Sequence, residues 1–226
     1  MPRTRPPRDT LRAAQKEFAR QRLIETALEC FEEAGYAATA IEDITAAAGT
    51  SRATFYVHFR NKADVVREAL LVQIEKSVAE YSRLYELGPD TSWDDLREFV
   101  VRLLGFWTEH RAVANVLNEA VDVDPEHIAA TWSEGLIATT SVIARYLVDV
   151  CRLDEETARL RAMLLVAQFN RFLFYRKLPG IASFDDDLVV DELTDTWWRA
   201  FQPPVESSRK ATGDGRSGRP RVAKSS

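Results

Sequence analysis

The chain has 226 residues, is 46% apolar and 29% charged, and holds nine Gly and nine Pro. That composition can bury a sizeable core, and it excludes wholesale disorder, a collagen-like repeat and a disulfide scaffold. The net charge of −5 speaks against a nucleic-acid partner at first sight, yet residues 1–22 carry a net +5, residues 207–226 another +5, and residues 23–206 the remaining −15.

Such an asymmetry points to separate jobs for the ends and the middle, although two solubilising tails would produce the same numbers. The start holds Pro2, Pro6, Pro7 and several Arg with no apolar stretch after them, so it does not read as a signal peptide. No run of about 18 apolar residues occurs, and no membrane span is expected. Cys30 and Cys151 have no metal-ligand spacing and read as thiols of a cytoplasmic protein.

In chain order, a first helix is expected from Leu11 to about Ala34, with Leu23, Ala27, Leu28, Phe31 and Ala34 on one stripe and Gly35 at its end. Thr39-Ala40-Ile41-Glu42 reads as a capping box that opens a short helix to Ala48, stopped by Gly49. Thr50 or Ser51 caps a second short helix through about Phe59, and Asn61 caps a long helix to about Leu87. After the Gly88-Pro89-Asp90 turn, helices are expected at roughly 92–109, 111–120, 126–151, 155–177 and 187–201, with breaks near Pro125, at Arg152 to Asp154 and at Pro179-Gly180. No segment alternates like a strand, so the fold class is all-α.

Residues 39–59 make a helix-turn-helix, with Ala46, Ala47 and Ala48 expected to keep the two short helices close. Phe55 and Phe59 are four apart and face inward, which turns Arg52, Ala53, Tyr56 and Val57 outward. A guanidinium, a small surface, a phenol and an apolar group suit a helix in a major groove, where Arg bonds a guanine edge and Ala or Val touches a thymine methyl. Thr54, His58 and Lys62 flank that face and are placed to hold phosphates. An ordinary helical hairpin packed on its neighbours shares the same periodicity.

The stretch from Thr39 through Asp64, preceded by Phe31-Glu32-Glu33-Ala34-Gly35-Tyr36, resembles the DNA-binding signature of TetR-type transcriptional regulators over about residues 20–70. Ala53 stands where that family often has glycine, and Asp64 where glutamate is frequent. The resemblance implies a ligand-responsive homodimeric repressor that binds a palindromic operator in double-stranded DNA and needs no cofactor. Thr39, Thr50, Ser51, Thr54, Tyr56, His58 and Lys62 would then make mainly backbone contacts, with Arg52, Ala53 and Val57 nearest the bases. The expected divisions are a flexible basic arm at 1–9, a reader at 10–61, an effector-binding and dimerisation domain at 62–205, and a basic tail at 206–226 whose Ser, Gly, Arg and Pro composition makes it disordered. The helices near 155–177 and 187–201 would form the homodimer, and the helix at 62–87 would be the lever between reader and effector site.

Aromatic residues are dense in the middle of the chain, which fits a pocket for a small lipophilic or aromatic effector. Phe106, Trp107, Trp132, Phe169, Asn170 and Phe174 are the candidates, with Gln168 and Arg171 as further polar groups; core packing accounts equally for each aromatic taken singly. In the tail, Arg216-Ser217-Gly218-Arg219-Pro220-Arg221 resembles the core of an AT-hook, and a non-specific polycation or inert tail would read the same way. His58, His110 and His127 sit in no catalytic spacing, and Asp185-Asp186-Asp187 reads as a helix start, so neither an enzyme nor a metal site is expected. The rival reading is a helical dimerisation protein without regulated operator binding.

Overall fold

The computed structural model describes residues 8–176 and 184–203; Arg8 to Leu11, Asn170 and Phe174 are described by backbone only. Most of the basic arm, the basic tail with its AT-hook-like motif, and the Pro179-Gly180 turn lie outside the described residues. Nine α-helices occur among those described, with no strand: α1 Arg8–Ala34, α2 Ile41–Ala47, α3 Arg52–His58, α4 Lys62–Ser82, α5 Trp93–Glu109, α6 Arg111–Val123, α7 Pro125–Asp149, α8 Glu155–Tyr175 and α9 Asp186–Phe201. A short 3-10 turn, Arg83–Glu86, finishes α4. The all-α fold class is therefore as expected.

Local chemistry fixes most boundaries. The Ser51 hydroxyl accepts from the Thr54 amide at the start of α3, and Asn61 accepts from the Asp64 amide at the start of α4. Ser92 and Asp95 form a reciprocal capping box on α5. Pro125 opens α7 at a position where its missing N–H costs nothing.

The α2 cap differs from the expected one. Ala40 is the residue at the cap, and its amide donates to the Asp43 carboxylate at 2.8 Å. Thr39 is buried, and its hydroxyl donates backward to the Gly35 carbonyl at 2.7 Å. The cap position thus falls one residue on, at Ala40, which offers no side-chain acceptor, and Asp43 takes the role expected of Glu42. Of the three alanines expected in the α2–α3 crossing, only Ala48 is buried; Ala46 and Ala47 face solvent. Gly49, at φ +63°, makes the turn that joins the two helices.

Two cores form. One gathers Leu23, Ala27 and Phe31 of α1, Ile44, Phe55 and Phe59 of the helix-turn-helix, and Ala63, Val66 and Leu70 of α4. Val116, Leu117 and Ala120 of α6 and Ile128 of α7 close it from the other side. The boundary drawn at 61/62 therefore cuts through a continuous core: the reader cannot bury its apolar surface without α4 and α6.

The second core lies among α5, α7, α8 and α9 and is built around Trp197, which stacks on Tyr81 and packs against Phe99, Phe169 and Phe201. Helices α4 and α7 approach closely at Gly135, where a Cβ would stand 2.5 Å from Ile74. Glycine permits that approach, because the branched Ile74 side chain has little freedom to yield.

Candidate nucleic-acid interface and ligand cavity

Phe55 and Phe59 anchor α3 from beneath, their rings 5.6 Å apart in the reader core. The opposite face, Arg52, Ala53, Tyr56 and Val57, is open to solvent, with Tyr56 50% and Val57 65% exposed. An apolar valine and a phenol are left in water on a seven-residue helix whose other side is fully packed. Arg52 is held in place by the Tyr56 hydroxyl and by Glu42 of α2, whose carboxylate lies 2.6 Å away; both keep the guanidinium charged. Ser51 and Thr54 share a hydroxyl contact at the N-terminus of α3, beside half-buried Thr50. Lys16 and Arg20 of α1 lie near His58 at the end of α3, with Glu17 between them in the chain, and Arg12 is exposed one turn before Lys16. Arg20 itself is paired with Glu68 and lies over Phe59.

Behind the reader, the α1–α2 loop is latched to α6. The Glu119 carboxylate accepts from the Tyr36 amide at 2.8 Å and the Ala37 amide at 2.9 Å, and these bonds hold it below the ordinary carboxylate range. Tyr36 is buried and donates its hydroxyl to Asp124 at 3.1 Å. Gly35 suits the loop because its φ is +88°, and a Cβ there would also press on the Glu119 carboxylate at 3.3 Å. From the other side, Lys62 Nζ donates to the carbonyls of Tyr36, Ala37 and Thr39 at 2.6, 3.2 and 3.0 Å, and lies 4.5 Å from the Tyr36 ring centre.

On its other flank α6 borders a cavity of about 970 Å³ between α4, α5, α6, α7 and α8. Leu117 belongs both to the reader core and to the cavity wall, as does Leu70 of α4. Among the described residues, no group of three or more His, Cys, Asp or Glu is placed to hold a metal ion, and no helix is long and apolar enough to cross a membrane.

Residues 23–69 match the family described as bacterial regulatory proteins, tetR family. The match begins where α1 first becomes buried, at Leu23, and ends at Ala69, so it covers the α1 to α4 part of the reader core and not α6 and α7, which close it. This stretch of the chain carries the tetR-family signature.

The curated relatives agree: it is 32% identical over 82 residues to the HTH-type transcriptional regulator SrpR of Pseudomonas putida and 31% identical over 98 residues to AcrR of Shigella flexneri. These alignments span 36% and 43% of this chain and only 38% and 44% of the relatives. A tetR-family regulator from Mesorhizobium loti MAFF303099 has the same fold, with a TM-score of 0.64 at 17% identity, covering 82% of this chain and 96% of that one. Another from Rhodococcus RHA1 gives 0.60 at 23% identity, covering 81% and 97%.

Within this tetR-family reader, two expected phosphate contacts are already engaged. Thr39 is spent on the α1–α2 loop, and Lys62 caps that loop's carbonyls, because the loop brings three backbone carbonyl oxygens within reach of one ammonium. His58 is half-buried, and its Nδ1 has no partner among the described residues. Burial, reinforced by Lys16 and Arg20, pushes its pKa down from the ordinary value. The unfolded chain therefore takes up a proton first. His58's contribution to stability is present above the ordinary histidine pKa of about 6.5 and is lost as the pH falls below it. Thermal midpoints at about pH 7.5 and 5.5 are expected to fall less in His58→Asn than in the parent; equal falls would remove His58 as the cause.

Of the effector candidates, Trp107 and Trp132 line the cavity. Phe106 and Phe169 do not: Phe106 packs on Trp107 and His110, and Phe169 is consumed by the Trp197 cluster. The side chains of Asn170 and Phe174 lie outside those described. Gln168 is not on the wall, whereas Arg171 is. Sequence reasoning missed Gln73, Ser77, Asn115, Asn118 and Thr139, which supply neutral polar groups to the wall. Their signal was present: Gln73 and Ser77 stand at helical spacing on the stripe that α4 buries, where apolar residues are the rule.

Proposed function

We propose that this tetR-family chain is a transcriptional repressor that binds a palindromic operator in double-stranded DNA as a homodimer and is released by a small lipophilic or aromatic effector in the α4–α8 cavity. The observation that carries the reading is the division of α3 into a packed Phe55–Phe59 side and an open Arg52, Ala53, Tyr56, Val57 side. Such an exposed set pairs base-edge chemistry with a surface for thymine methyls, and the basic turns of α1 supply phosphate attraction beside it.

The homodimer is supported by α8. Its inner face, Ala158, Ala162, Leu165, Val166 and Phe169, is buried, but Leu160, Met163, Leu164 and Ala167 repeat at helical spacing on the outer face and are exposed. An apolar stripe of that length on one helix is the kind of surface a second copy covers. The outer face of α9 adds Leu188 among polar residues.

The effector acts through linkage: it shifts the reader only as far as it prefers one arrangement of α4 and α6 over another. Both helices wall the cavity and close the reader core, so a ligand that displaces α6 pulls on the Glu119 latch. This makes α6 a second lever beside α4.

The experiment compares Arg52→Ala with Arg60→Ala, an exposed arginine one residue past the C-cap of α3, on selected and scrambled duplexes over a salt series. Arg52→Ala is expected to reduce discrimination by about ten- to a hundredfold, as loss of a guanine contact does. Arg60→Ala should weaken both duplexes alike and make the salt slope shallower. Equal discrimination in the two variants would overturn the assignment of α3 as the reading helix.

A further inference from the structure

We propose that the cavity is selective for an uncharged ring alcohol or phenol, whose hydroxyl is seated by Gln73 and Thr139; the inference rests on the cavity being the effector site. Two observations carry it. The first is where charge falls on the wall. Arg111, Arg171, Asp186 and Asp187 line the cavity but are exposed to solvent, and Arg176 is paired with Asp186 at 2.6 Å. Among the described residues, the buried polar groups on the wall are all neutral: Gln73, Ser77 and Thr139.

The second is an unmet hydrogen-bonding demand. Gln73 and Thr139 are each only 6% exposed. Gln73 Nε2 donates to the Ser77 hydroxyl at 3.3 Å, and that hydroxyl donates to the Gln73 backbone carbonyl at 2.8 Å. Among the described residues, Gln73 Oε1 and the Thr139 hydroxyl enter no hydrogen bond. Both residues line the cavity, so these two atoms are uncommitted polar groups open to it, and whatever fills the cavity there, water or ligand, bonds them.

A phenolic hydroxyl matches that pair: it donates once, to Gln73 Oε1, and accepts, from Thr139. Its ring meets Trp107 and Trp132, and the Trp107 N–H is already committed to the Tyr81 hydroxyl at 3.2 Å, so Trp107 offers packing only. An organic cation would lose its hydration with no buried carboxylate to face, and a carboxylate would find no buried cation. The cavity volume of about 970 Å³ accommodates two or three rings.

The test titrates the full chain with biphenyl, 4-phenylphenol, biphenyl-4-carboxylate and a biphenyl trimethylammonium salt, followed by tryptophan fluorescence and calorimetry. The phenol is expected to bind about tenfold tighter than biphenyl, and both ions more weakly than biphenyl. Gln73→Leu should abolish the phenol's advantage, read as the ratio of phenol to biphenyl affinity within the same variant. Thr139→Val should reduce that advantage, and it keeps the test open if Gln73→Leu folds poorly. Equal binding of phenol and biphenyl, an ion that binds as tightly as the phenol, or an advantage that survives in both variants overturns the proposal while leaving the cavity as a ligand site. Binding of none of the four overturns the cavity reading and this inference together.

Discussion

Replacing Lys62 with methionine is expected to lower the thermal midpoint of the chain by about 4–8 °C, from the loss of about 2 kcal/mol. The ammonium is three-quarters of a cage: three backbone carbonyls of the α1–α2 loop accept from it, and the Tyr36 ring lies beside it. Methionine keeps the stem and its packing but removes every donor, so the carbonyls of Tyr36, Ala37 and Thr39 lose their shared partner. Burial lowers the Lys62 pKa, while Asp124 and Glu119 oppose that shift and favour the charged form. The sequence reading gave Lys62 a phosphate, and that role predicts the reverse pattern: an unchanged midpoint and a salt slope of DNA binding shallower by about one. Differential scanning calorimetry and a salt series on the same variant separate the two.

Glu119→Ala is expected to cut the reader loose from α6. The Tyr36 and Ala37 amides lose a charged acceptor that bonds both, which costs about 1.5–3 kcal/mol for bonds of this type. Hydrogen exchange reads it directly: protection at these two amides should fall, while the α5–α9 core around Trp197 keeps its own. The consequence for function is a loss of coupling. DNA affinity should stay within a few-fold of the parent, but a cavity ligand should no longer weaken it, because α6 can move without pulling the loop. Glu119→Gln gives an acid signature. The carboxylate is held below the ordinary glutamate value of about 4.3, so its stabilisation is present above that pH and is lost as the pH falls through the lower folded value. The amide variant should lose stability at neutral pH and show a flatter decline in acid. Unchanged ligand response in Glu119→Ala would remove the latch from the mechanism.

How much of this was legible in the sequence depended on whether the signal was local. Ser51, Asn61, Gly35, Gly49 and Pro125 announce helix ends through their own backbone chemistry, so the helices appear near their expected places. The packed and open sides of α3 follow from a period of 3.6 and two phenylalanines. The roles of Thr39 and Lys62 did not follow, because their partners are backbone carbonyls of a loop up to 26 residues away in the chain. Spacing alone could not tell a lysine facing phosphate from one facing its own fold. Nor could it divide the aromatics: Phe169 and Trp107 sit in similar apolar runs, yet one is swallowed by the Trp197 cluster and the other borders the cavity. The segregation of charge was visible from composition, but its meaning came from α1, whose Lys16 and Arg20 lie near the end of the reading helix of an otherwise acidic body.

The central claim is that α3 of a dimer reads a specific duplex. Selecting bound duplexes from a random pool with the full chain, at near-physiological salt, tests it most directly. The expected result is an enriched palindrome, with the enrichment reduced in Arg52→Ala. Recovery of no enriched sequence, or of one with no two-fold symmetry, would contradict it.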